Sequence, residues 1–220
     1  MGAHTIIITI TVEEAPEMKL TWLGHSCFLV QTAEGSALLD PYAPGSVPGL
    51  TLPALTADLV LCSHGHRDHG YWQGVTLSGK KPRFSVTSLE TWHDDKSGSL
   101  RGPNTVHVIE AEGLRLAHLG DLGHMLSPEQ LAALGRVDIL LIPVGGHYTI
   151  GPETAARLAE AIGADVTVPM HYRGEGFGYD VIGPVEPFLQ RRDKVLSLPE
   201  NVLRPEELEK PVTVRLRCPV

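Results

Sequence analysis

Cysteine is scarce: Cys27, Cys62 and Cys218 are the only three in 220 residues. They stand far apart, are odd in number and form no CxxC pair, which argues against a disulfide framework or a zinc ribbon. Free thiols in a reducing cytoplasm are the expectation. Aromatic residues make up 5% of the chain. The apolar stretch TIIITITV, residues 5–12, falls far short of a membrane span. No basic segment precedes it and no small-residue cleavage site follows, so neither a secretory leader nor a membrane partner is expected. Positive charge is in deficit as well. Lys and Arg number 18 against 26 Asp and Glu, giving −8 with neutral histidines. That balance argues against a broad nonspecific nucleic-acid surface.

What is present suits a single α/β domain. Hydrophobic residues are 42% of the chain, enough for a sizeable core, while 23 Gly and 17 Pro predict tight turns and short strands. The domain begins again at Met18 with KLTWLGHSCFLV, so residues 1–17 read as an extension or added edge strand and residues 18–220 as the domain.

Short β-type runs fill the first half: KLTWL, CFLVQT, SALLD, DLVLCS, RFSVTS, TVHVIE and LRLAHL. EGS and EAEG are hairpin breaks. SPEQLAALG predicts a helix capped by Ser127 and stopped at Gly135, and GPETAARLAEAIG repeats that design. VDILLIPV and DVTVPM add two strands, the first apolar enough for a sheet covered on both faces. Strands followed by helices predict two sheets between helical layers.

The stretch SHGHRDHG, residues 63–70, packs three histidines and an aspartate into eight positions. It follows the apolar strand DLVLC, so His64 and His66 leave the strand end on one side. Gly65 and Gly70 allow the turn that brings Asp68 and His69 to the same space. Imidazoles with a carboxylate suit Zn²⁺, Mn²⁺ or Fe²⁺, and a solvated polar loop accounts poorly for the HxHxDH spacing.

This motif resembles the signature of the metallo-β-lactamase superfamily. LLDP at 38–41, Gly120–Asp121 and His171 in VPMHY occur in the same order. WLGHSCF and HLGDLGH further resemble the compact metal-dependent hydrolases related to ascorbate-6-phosphate lactonase. The resemblance spans residues 18 to about 200. It implies a four-layer αβ/βα sandwich with two divalent ions at one edge, zinc first and manganese or iron as alternatives, bridged by a water or hydroxide. It places His64, His66 and a third histidine on one ion, Asp68, His69 and His171 on the other, and Asp121 between them. His93, in the polar stretch ETWHDD, is preferred as the third histidine over His118. His118 shares a strand face with Leu114 and Leu116 and reads as a core or supporting residue. Asp40 is either a turn initiator before Pro41 or an acceptor orienting a ligand imidazole. His25, after Gly24, is either a substrate contact or part of a structural turn, and His147 and Tyr148, on the glycine-flexed loop 143–152, are candidate substrate contacts at a pocket rim.

These expectations describe a cytoplasmic binuclear hydrolase acting on a small ester, lactone or phosphoester, with Asp68 also handling the attacking water. A metallonuclease is the first rival, opposed by the acidic charge and by the lack of room for an inserted RNA-clamping domain. A non-catalytic metal-binding protein is the second.

Overall fold

The computed structural model describes residues 18–220, so the TIIITITV stretch and the expected extension lie outside the described residues. The N-terminal half supplies β1 (Lys19–Trp22), β2 (Phe28–Thr32), β3 (Gly35–Leu39), β4 (Leu55–Ala57), β5 (Leu59–Leu61) and β6 (Val75–Leu77). A long hairpin follows, β7 (Ser85–Trp92) and β8 (Pro103–Ala111), then β9 (Leu114–His118). The remainder alternates: α1 (Pro128–Leu134), β10 (Ile139–Pro143), α2 (Pro152–Ile162), β11 (Val166–Met170) and α3 (Glu186–Leu189). Three short strands close the chain, β12 (Val195–Ser197), β13 (Val202–Leu203) and β14 (Val212–Arg215).

One sheet has the order β13-β1-β2-β3-β5, and the other runs β12-β14-β11-β10-β9-β8-β7. β4 and β6 pair separately. Both expected hairpins are present, with β2 antiparallel to β3 and β8 antiparallel to β9. β10 and β11 are buried along their whole length and pair in parallel, as covered apolar strands should. α2 packs on β10 and α1 on β7.

The helix ends follow their sequence signals. Ser127 and Gln130 form a reciprocal capping box, and Gly135 ends α1. Gly163 ends α2 in the left-handed conformation at φ 67°.

Two features depart from the sequence expectation. RFSVTS extends to Trp92 because β7 pairs with β8 at eight successive positions. The C-terminal strands carried no signal: β13 returns to flank β1, matching Leu20 with Leu203. One continuous core, including Leu20, Phe28, Leu38, Ile109, Leu116 and Leu141, fills the molecule. Across it, His118 of the second sheet donates Nε2–H to the Ser26 carbonyl at 2.9 Å and lies edge-on to Phe28.

Candidate metal centre

Strand ends from both sheets deliver the site. The His64–His69 loop follows β5, His93 follows β7, Asp121 follows β9, His171 follows β11, and His25 turns between β1 and β2. The loop after β5 is tightened by the amides of His69 and Gly70, which both donate to the His66 carbonyl, at 3.0 and 2.7 Å. Gly120 adopts φ 54°, and a Cβ there would collide with the Ser63 side chain, so only glycine lets the Asp121 turn approach the histidine loop. His25, Asp40 and His171 all have positive φ, at 53°, 45° and 52°. Such strain in non-glycine residues gathers at functional sites and persists only where surrounding bonds enforce it. Here the amide of His171 donates to the His25 carbonyl at 3.2 Å, joining two of the strained residues.

The side chains converge in two separate groups, which a third made of His64, His69 and Asp121 links. His64, His66 and His93 each place a nitrogen within 4.8 Å of the others, and His25, Asp68, His69 and His171 do the same with their own donor atoms. Asp121 joins them. Its Oδ2 lies 3.2 Å from His69 Nε2, 3.3 Å from His93 Nε2 and 3.2 Å from His171 Nε2.

Several of these atoms are buried with no hydrogen-bond partner: His64 Nε2, His69 Nε2, His171 Nε2, Asp121 Oδ1 and both nitrogens of His25. Folded proteins pair almost all buried polar atoms, and each orphan costs about 1–3 kcal/mol. Unpaired imidazole nitrogens and a carboxylate oxygen aimed at common points are a donor set for divalent transition metals, so the residues fit such ions.

Electrostatics agree. Burial lowers His25 to about 4 and His64 to about 3, leaving both as neutral lone-pair donors at physiological pH. His69 moves the other way: burial opposes its charge, but Asp121 and Asp40 outweigh burial and raise it. Burial likewise works against the Asp121 carboxylate, yet His171 and His69 hold it well below the ordinary range.

A ring of supporting contacts aims the donors. Asp40 Oδ2 accepts from His69 Nδ1 at 2.8 Å and from Ser63 Oγ at 2.6 Å, while its Oδ1 accepts the Ser63 amide. Ser63 Oγ in turn lies 3.0 Å from His64 Nδ1. One carboxylate thereby turns the Nε2 of two histidines toward the cluster. His93, rather than His118, stands with His64 and His66. His118 is buried, bonded to Ser26, and its Nδ1 accepts the Gly120 amide at 3.2 Å, which braces the turn before Asp121.

The expected substrate contacts separate. His25 is buried inside the cluster instead of lining an approach to it, with its ring centroid 4.1 Å from that of His171. His147 is exposed and Tyr148 half-buried, on the loop after β10. Sequence reasoning missed Tyr179, whose hydroxyl contacts the Ser46 carbonyl at 2.6 Å and Asp68 Oδ2 at 3.2 Å. It also missed Arg101, which lies over the Tyr148 ring and donates to the His147 carbonyl. Neither residue sits in a motif.

Two sheets carrying a histidine–aspartate cluster at their strand ends define a metallo-β-lactamase-type sandwich. The chain belongs to the β-lactamase superfamily, whose domain model matches residues 19–171. Its relatives include a UPF0173 metal-dependent hydrolase of Methanoregula boonei, 32% identical over 191 residues that cover 70% of this chain and 82% of the relative. A second, from Carboxydothermus hydrogenoformans, is 28% identical and covers 87% of this chain and 99% of its own. Among solved structures, a Thermotoga maritima protein assigned to the Zn-dependent hydrolases of the superfamily is 34% identical. It covers 91% of this chain and 100% of its own, with a TM-score of 0.71.

Proposed function

We propose that this metal-dependent hydrolase holds two divalent cations, zinc first, and hydrolyses a small ester, lactone or phosphoester. His64, His66 and His93 would hold one ion, and Asp68, His69 and His171 the other. One observation carries the reading: Asp121 Oδ2 stands 3.2–3.3 Å from histidines of both groups, where a shared carboxylate belongs. Paired ions held there would supply an activated water near neutral pH and polarise the electrophilic oxygen of a substrate.

The protein's own residues do the rest. His66 is exposed and the Asp68 side chain is 18% exposed, so the centre opens to solvent on their side. Asp68, besides ligating, would orient the attacking water, accept its proton and pass it to the leaving group. The Tyr179 hydroxyl, 3.2 Å from Asp68 Oδ2, fixes how that carboxylate is turned. Tyr148 stands next to Tyr179, ring centroids 6.0 Å apart, and forms with His147 the rim that a small substrate meets. The acidic chain disfavours a nucleic-acid substrate. Three free cysteines support a reducing, cytoplasmic compartment. Among the described residues, no helix is long and apolar enough to cross a membrane.

The test is elemental analysis of metal-replete protein, paired with a screen of lactones, phosphodiesters and thioesters. About two transition-metal ions per chain are expected, with hydrolysis of one class abolished by chelation and restored by zinc. Protein that binds no transition metal, or turns over none of these classes when loaded, overturns the reading.

A further inference from the structure

His25 is buried in a cluster of donors, yet the two ligand triads leave it without a role. We propose that His25 is a sixth histidine ligand, completing a four-residue pocket with Asp68, His69 and His171. The inference rests on the binuclear reading and adds one donor to its second position.

Three observations carry it. First, His25 Nε2 lies 3.4 Å from Asp68 Oδ2, and His69 Nε2 lies 3.7 Å from the same oxygen. Donors about 2.1 Å from a common ion stand roughly 3–3.5 Å apart, so the His25 separation suits shared ligation, and the His69 separation is slightly longer. Second, both ring nitrogens of His25 are buried without a hydrogen-bond partner. An imidazole kept for packing would give up its polar atoms to a carbonyl or hydroxyl, as His118 does with Ser26.

Third, the backbone is arranged to hold this ring inward. Gly24 and His25 take φ 96° and 53° in succession. The turn closes through Leu23 N to Cys27 O at 2.8 Å and Cys27 N to Gly24 O at 2.9 Å. The His25 carbonyl accepts from Trp22 Nε1 at 3.0 Å and from the His171 amide at 3.2 Å. Strain enforced by four bonds, ending on an unpartnered ring beside His171, marks a positioned ligand.

The test counts coordinated imidazoles in zinc-loaded wild-type protein by long-range ¹H–¹⁵N correlation. Six coordinated histidines are expected: His25, His64, His66, His69, His93 and His171. Five, with His25 free, overturn the inference while leaving the binuclear reading intact, and no coordinated histidine removes both. Zinc titration against a competing chelator gives the second readout. His25→Ala and His25→Gln should each retain the first ion and weaken the second more than about tenfold. Unchanged affinity for both ions in either folded variant overturns the inference.

Discussion

The Nδ1 of His69 has one partner, Asp40, and that bond decides which nitrogen faces the cluster. Asp40 also accepts from Ser63, which touches His64, so a carboxylate outside the donor groups sets the direction of two donors within them. Asp40→Asn keeps the shape but loses the charge that favours a basic Nε2. Zinc affinity should fall about 10–100-fold with little change in fold, as read by chelator competition beside circular dichroism. The two rival histidines separate by the same logic. His93→Ala should empty about one metal position and leave the melting temperature of metal-free protein nearly unchanged. His118→Ala should keep its metal but lose on the order of 2–4 kcal/mol, because it opens a cavity and strands the Ser26 carbonyl and Gly120 amide. Metal analysis and thermal melts on both variants decide it, and a metal-free but stable His118→Ala reverses the assignment.

Between β7 and β8, residues 93–102 are organised by one side chain. Asp94 is buried, and its carboxylate accepts the amides of Lys96, Gly98, Leu100 and Arg101 at 2.7–3.0 Å. Burial alone would raise its pKa, but those four donors hold it below the usual range. This loop presents His93 at one end and Arg101 at the other. Asp94→Ala should speed amide hydrogen exchange across 93–102 by at least about tenfold while the β7–β8 ladder stays protected. Unchanged exchange in the loop would show that the strands alone hold it. The same stretch shows what a sequence can reveal. HxHxDH is legible because its residues are contiguous and follow an apolar strand. Asp121 and His171 are legible as polar residues following such strands. Tyr179 reaches Asp68 across 111 positions, so no local pattern announces it. β13 lies beside β1 for the same reason, a two-residue strand specified only by its partner.

At the scale of the molecule, the centre is a seam between the two sheets. His25 and the His64–His69 loop belong to the five-stranded sheet, while His93, Asp121 and His171 end strands of the seven-stranded one. Ions held by both groups would therefore cross-link the sandwich, and their free energy of binding would count toward the stability of the whole domain. The buried atoms of the cluster that lack hydrogen-bond partners act in the same direction, since each is a cost that ligation would remove. With free zinc at about a thousand times its dissociation constant, linkage adds about 4 kcal/mol per ion, or about 8 kcal/mol for two. For a domain of this size two ions raise the melting temperature by about 16–32 °C. Chelation should lower the midpoint by that amount while the transition stays single, because both sheets lose the same clamp. Calorimetry of zinc-loaded and chelated protein measures it. A split transition would mean that the ions stabilise one sheet alone, and an unmoved midpoint would mean that the cluster does not bind zinc.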